Sequence, residues 1–305
     1  LVGITLNIFF ALNPLVALLR WLRILEALFL TFYISQEKPS LKISSLCLLL
    51  GGLYSCLLAW LQFIHQSSIG GILWWIGERA FTVTTPGIAR LTFNNQLFLR
   101  PYATFPHPNV LAGFLTSLIP LVFYVENVSR ITRLLSIPTL ILFLATILIT
   151  FSQAAWIVAV VTLVILLVKK KGIAIKPAVI FGLVTLTITL SLVSYQFVET
   201  ESIAKRIGFT NNAISVFLEH PLFGVGLNNF IVANQQNSPI YSYQDLQPAH
   251  SIYLLFASET GIMGMSLFFF LLFLLYKKIR MNNRSFYIVW PLIALLLLGL
   301  FDHYP

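Results

Sequence analysis

The sequence predicts an all-α bundle that crosses a membrane many times, on three observations. Hydrophobic residues make up 58% and charged residues 10% of 305 residues, with a mean hydropathy of +0.89, whereas soluble domains are roughly one-quarter charged. Several apolar runs reach the ~20 residues a helix needs to cross a hydrocarbon core about 30 Å thick. These runs do not alternate apolar with polar, as barrel strands do, and a chain in lipid must satisfy its backbone groups inside helices.

The runs come in order at residues 1–19, 21–35, 43–64, 109–125, 132–150, 154–168, 177–197, 251–276 and 285–301, giving nine candidate spans. The chain opens on Leu1 without an initiator methionine and closes at "FDHYP" directly behind an apolar run, so both ends read as cut and nine is a minimum. One transmembrane domain over residues 1–305 is expected. Connections are short except residues 65–108 and 198–250, which are too long for turns between neighbouring helices. Orientation follows from the short loops. Lys38 and Lys42, Arg130 and Arg133, Lys169 to Lys171 with Lys176, and Lys277, Lys278, Arg280 and Arg284 put 12 of the 19 basic residues in four loops that alternation places on one side. That side is cytoplasmic by the positive-inside rule, and both long loops face outward. "RWLRILE" conflicts with this count: Arg20 and Arg23 fall between the first two spans on the outer side, so either those spans are misread or the arginines act there.

The formal charge of +9 belongs with the loops. No basic stripe is interleaved with stacking aromatics, so no nucleic-acid partner is expected. Cys47 and Cys56 lie nine residues apart in one apolar run, about 13 Å along a helix, which implies neither a disulfide nor a metal pair. Residues 202–219 place Ile203, Ile207, Ile214, Phe217 and Leu218 among polar residues, the pattern of an amphipathic helix on the membrane surface that Pro221 ends. "FGVG" follows. Gly224 and Gly226 offer either a tight turn or backbone amides for an anion, and without a preceding strand or a third glycine no dinucleotide fingerprint is supported.

Chemistry concentrates where the outer loops meet the spans. In "RPYATFPHPNVLAGF", Pro106 and Pro108 hold His107 extended and Asn109 is placed to cap the following helix; Arg100 is either a ligand-binding cation or a head-group anchor. His250 opens the eighth span in "PAHSIYLLFASETGIMG", where an imidazole, ordinarily titrating near pH 6.5, suits general-base work. Glu259 lies nine residues further, about 13 Å along the same helix; a carboxylate in an apolar run is either functional or a hydrogen-bonded core group. His65 and His220 show no nearby partners, no serine sits in a nucleophile elbow, and no cluster has zinc spacing.

"RPYATFPHPNVLAGF", "FLEHPLFGVGLNNF" and "AHSIYLLFASETGIMG", in this order and separated by apolar spans, resemble the O-antigen ligase/polymerase family of bacterial envelope glycosyltransferases over about residues 86–303. The resemblance implies an all-helical fold of the GT-C-like, lipid-sugar type in the bacterial inner membrane, with its active site facing out. It implies a polyprenyl-diphosphate-linked glycan donor, a glycan, lipid or protein acceptor offering a hydroxyl, contact with membrane lipids, and neither metal nor other cofactor. It assigns functional positions to Arg100, Asn109, Arg206, His250 and Glu259, with His107 beside them. Two positions depart from the family pattern: Gln153 stands in "TFSQAAW" where a Ser-Arg pair is usual, and Ser251 follows His250 in place of asparagine. Gln153 preserves hydrogen bonding without the charge. A diphosphate leaving group calls for guanidinium forks, and Arg100 and Arg206 are the expected ones. A transporter is the competing class, but no internal repeat is visible and the polar residues concentrate outside.

Overall fold

The computed structural model describes residues 2–302 apart from 95, 127, 172–184, 186, 190–191, 193–202, 238–246 and 280–282. Its helices are α1 (Val2–Phe9), α2 (Pro14–Glu37), α3 (Leu41–His65), the single turn α4 (Ile72–Trp75), α5 (Pro108–Val125), α6 (Arg130–Ile149), α7 (Gln153–Lys171), α8 (Ile203–Glu219), α9 (Phe230–Asn237), α10 (Ile252–Lys278) and α11 (Asn283–Leu298). Strands β1 (Arg90–Phe93) and β2 (Gln96–Leu99) form an antiparallel hairpin inside the first long loop, an addition to the all-helical expectation.

Among the described residues four helices are long and apolar enough to cross a membrane: α3, α5, α6 and α10. Shorter apolar helices lie at Gln153–Lys169 and Ser285–Leu298. Most of the expected span 177–197 lies outside the described residues. The two spans expected at 1–19 and 21–35 are corrected. The break falls at residues 10–13, and Arg20 and Arg23 sit inside the single helix α2. The cause is local: Asn13 accepts from the Val16 amide at 3.3 Å as an N-cap and Pro14 takes the first helical position, whereas nothing at residues 20–23 ends a helix.

The chain divides into two compact units. One comprises residues 40–200 and 281–298. Its centre is α5, against which α3, α6, α7 and α11 pack. The apolar window of α5 is 78% buried and that of α6 only 22%, so α5 is a core helix and α6 presents most of its surface outward. Leu111, Leu115, Ile119, Phe143, Ile147 and Leu166 form its fully enclosed interior. Gly52 of α3 lets the helices approach, since a Cβ there would stand 2.7 Å from both Leu118 and Phe143 side chains. The indole N–H groups of Trp60 and Trp290 donate to the hydroxyls of Thr146 (3.1 Å) and Thr162 (3.2 Å), so both indoles are satisfied across helices.

The other unit comprises residues 1–39, 201–280 and 299–305. Here α8 packs on α10, with α9 against both, and α1 packs on α2 and α10. The expected amphipathic helix is present as α8, and it has two apolar sides. Phe209, Ala213 and Val216 are buried, whereas Ile207, Ile214 and Leu218 are exposed along one outward stripe. That stripe is the one the sequence periodicity picked out.

Candidate functional site

In the unit centred on α5, the loop ahead of that helix is fixed from several directions. Gln62 of α3, fully buried, accepts from the Tyr102 (3.0 Å) and Ala103 (2.7 Å) amides and donates to the Ala103 carbonyl (3.1 Å) and to Glu78 (2.9 Å). All four of its hydrogen-bonding positions are thereby used. Glu78 in turn accepts from the Ile69 (2.8 Å) and Gly70 (2.7 Å) amides, tying the start of the long loop to its end. Arg79 donates to the Phe105 (3.2 Å) and Pro106 (2.9 Å) carbonyls, its guanidinium carbon 5.5 Å from the centre of the Tyr102 ring. Burial pushes the Tyr102 phenol above its ordinary range, against the Ala89 amide and the Arg100 and Arg79 charges.

Arg100 is 6% exposed. Its Nε donates to the Thr150 carbonyl at 2.7 Å and its Nη2 to Asn109 Oδ1 at 2.6 Å. Thr150 closes α6, so the guanidinium meets the carbonyl end of that helix, where a cation is favoured. It is an oriented, enclosed cation and not a loose head-group anchor. Asn109 is not the N-cap that the sequence suggested. Pro108 occupies the first helical position, and the cap is His107, extended at φ −152° and ψ 148°, whose Nδ1 accepts from the Asn109 amide at 3.1 Å. Arg100, His107 and Asn109 therefore form one hydrogen-bonded set. Gln153 opens α7 three residues beyond Thr150.

In the other unit, α10 is broken. Gly261 adopts φ 63° and ψ −165°, a conformation open to glycine and costly for other residues. The bonds that a continuous helix would make from the Ile262 and Met263 amides to the Ser258 and Glu259 carbonyls are replaced by four others. Val225 and Gly226 donate to those two carbonyls at 3.0 Å each, while Ile262 and Met263 donate to the carbonyls of Pro221 (2.8 Å) and Leu222 (3.2 Å). The Gly226 amide is thus spent on the broken helix and that of Gly224 on the His220 carbonyl (3.0 Å), not on an anion; the turn reading holds. Asn7 of α1 reinforces the joint, donating to the Phe223 (2.7 Å) and Glu259 (3.0 Å) carbonyls and accepting from the Leu227 amide (2.8 Å).

Glu259 lies at this break. Its carboxylate accepts from the backbone of Asn228 and of Phe230 (3.4 Å), where α9 begins, and the Arg20 charge on α2 acts on it. A carboxylate at a helix start is favourably placed. The N-terminal part of α10 keeps it about 13 Å along the helix from His250.

His250 precedes Ser251, the N-cap residue of α10. Its Nδ1 lies 3.6 Å from Asp302 Oδ1, both side chains being largely enclosed at 16% and 11% exposure. The Ile252 amide donates to the Gly299 carbonyl (2.9 Å), which fixes the start of α10 to the turn that carries Asp302. The Phe209 ring stands 6.3 Å from the imidazole. Arg206, exposed, lies one turn before Phe209 on α8 and hence on the same side of that helix. Asp302, Gln62 and Asn7 are the residues that sequence reasoning missed. Their signal was a polar residue in or beside an apolar run, which names no partner. Among the described residues no three His, Cys, Asp or Glu side chains cluster as a metal site.

Residues 138–269 match the family described as O-Antigen ligase, which supports the O-antigen ligase/polymerase family that the motifs resemble. The matched stretch holds Gln153, Arg206, His250 and Glu259; Arg100, His107, Asn109 and Asp302 lie outside it. No curated protein matches the chain.

Proposed function

We propose, from an O-antigen ligase domain over residues 138–269, that this membrane chain transfers a glycan from a polyprenyl-diphosphate carrier to an acceptor hydroxyl on the extracytoplasmic face. The acceptor oxygen attacks the anomeric carbon opposite the diphosphate and forms the new glycosidic bond with inversion. The bond from that carbon to the diphosphate oxygen breaks, its electron pair leaving with the phosphate. His250 takes the hydroxyl proton on Nε2. Guanidinium groups, Arg100 and Arg206, take the charge that develops on the diphosphate, with His107, Asn109 and Gln153 as neutral hydrogen-bonding groups. Glu259 positions α9 and does not react. A polymerase would use the same steps with a growing glycan as acceptor.

One observation carries this reading: the enclosed carboxylate of Asp302 at Nδ1 of His250. At 3.6 Å the contact is electrostatic and not a hydrogen bond, and a carboxylate there stabilises the imidazolium that forms when Nε2 takes the proton. Asp302→Asn, reconstituted in liposomes with a defined donor and acceptor, should lower kcat about 10-fold or more while leaving donor KM near wild type. The acid limb of its rate profile should move to lower pH, because the imidazolium loses its counter-charge. An unchanged profile at normal protein yield would remove Asp302 from the mechanism.

Orientation is tested separately. With Cys47→Ser as background, a cysteine replacing Thr84 in the first long loop should react with an impermeant thiol reagent in intact cells, and one replacing Lys38 should not. The reverse pattern would turn the site to the cytoplasm and sink the proposal.

A further inference from the structure

We infer that residues 69–77, an apolar strap around the single turn α4, lie in lipid at the head-group boundary of the leaflet at the C-terminal end of α3, and so fix the height of the first long loop against the bilayer. This contact is independent of the reaction proposed above. The strap reads "IGGILWWIG" and carries no charge and no polar side-chain atom except the two indole N–H groups. Trp75 is 91% and Ile72 77% exposed, with Trp74 and Ile76 exposed beside them. Want of a core does not explain this, because the same loop buries Phe81, Leu99 and Tyr102 together. An uncharged apolar patch left open by the fold marks a contact surface, and tryptophan is enriched where hydrocarbon meets head groups.

The height of the strap along α3 says what covers it. After His65 the chain turns back on the helix it has left. Gln62 donates to Glu78, directly behind the strap, at 2.9 Å, and Tyr54 donates its hydroxyl to the Ile76 carbonyl at 3.3 Å. Tyr54 stands about 16 Å short of His65 along the axis, so the strap lies beside the last turns of α3 and not beyond its tip. Counted from Lys42, the ~20 residues that cross the hydrocarbon end near Gln62, which sets the strap at the boundary. Tyr54 also falls between Leu50 and Leu57 on one face of α3, along which Ile43, Leu50, Leu57 and Ile64 are all exposed. That stripe is the surface a span gives to lipid, and the strap adjoins it.

Backbone that meets lipid must find its hydrogen bonds within the protein. Glu78 takes the Ile69 (2.8 Å) and Gly70 (2.7 Å) amides, and the Leu73, Trp74, Ile76 and Gly77 amides donate to carbonyls three residues earlier at 3.2 to 3.3 Å. The strap is closed on itself as a segment in water need not be.

The full chain carrying Cys47→Ser, with the buried Cys56 left in place, tests this in phosphatidylcholine liposomes. Ile72→Cys and Trp75→Cys are labelled separately with a fluorophore, and Thr84→Cys, exposed elsewhere in the same loop, is the control. A nitroxide attached high on the lipid acyl chain should quench both strap probes about twofold or more above the control, and iodide on both sides of the bilayer should quench them less by a similar factor. Both replaced residues are exposed, so melting in detergent should match that of Cys47→Ser alone, which shows that the fold is kept. Strap probes open to iodide and untouched by the nitroxide would put the strap in water and overturn the inference. Probes reached by neither quencher would mean that a second copy of this chain covers the strap, which overturns it equally.

Discussion

His250→Ala should abolish glycan transfer while the protein still inserts and still binds the lipid-linked donor. Proton acceptance belongs to the reaction and not to diphosphate recognition, and loss of a general base typically costs about 10² to 10⁴ in rate. The wild-type rate should fall as acid protonates the imidazole, and the alanine variant's residual rate should lose that dependence. The packing around His250 gives a sharp alternative. It contacts Phe209 and lies beside Asp302, so a purely structural histidine predicts lower yield with unchanged turnover per folded molecule. Measuring turnover against the amount of folded protein in liposomes, with donor binding measured in parallel, separates the two. Near-normal turnover would move the base elsewhere.

Gly224→Ala should strongly destabilise the unit holding α10. Gly224 adopts φ 68°, and a Cβ there would run into the backbone at Glu259 and Thr260, atoms that have no rotamer to retreat into. Overpacking of this kind costs about 1–3 kcal/mol, to which the left-handed conformation adds its own penalty. Gly208→Ala on α8 is the matched control, since its Cβ would meet nothing within 4 Å and alanine is the better helix former. Thermal unfolding in detergent should therefore fall clearly for Gly224→Ala and hold or rise for Gly208→Ala. Equal melting of the two would mean that the loop is not docked on the broken helix.

Features with local causes are legible in the sequence, and those that depend on distant residues are not. The stiffness of His107 was legible because two prolines act on their immediate neighbours. The cap was misassigned because an imidazole is an unusual cap and Pro108 had already taken the first helical position. Likewise "NP" at residues 13–14 is a helix start, but the arginines at 20 and 23 drew the boundary to themselves. "RLTFNNQLFL" carries a hairpin signal, two β-prone runs around an Asn pair, and Asn94 takes φ 48°. The break in α10 is different in kind. Gly261 alone is an ordinary glycine in an apolar helix, and only the carbonyls of residues 221–222, some forty positions earlier, make it a joint. Asp302 stands 52 positions from His250 with no periodic relation to it. No local pattern could have paired them.

The joint at Gly261 also orders events during synthesis. Asn7, which closes it, is translated 216 residues before Phe223 and 252 before Glu259, the two carbonyls it serves. Throughout that interval α1 has no α10 to pack against, whereas most of the α5-centred unit is already made. Contacts of such long sequence separation form slowly because loop closure must precede any gain from them. The contacts that close this joint are consequently expected among the late steps of folding, and His250 is expected to reach its place only after α10 and the turn carrying Asp302 have been made.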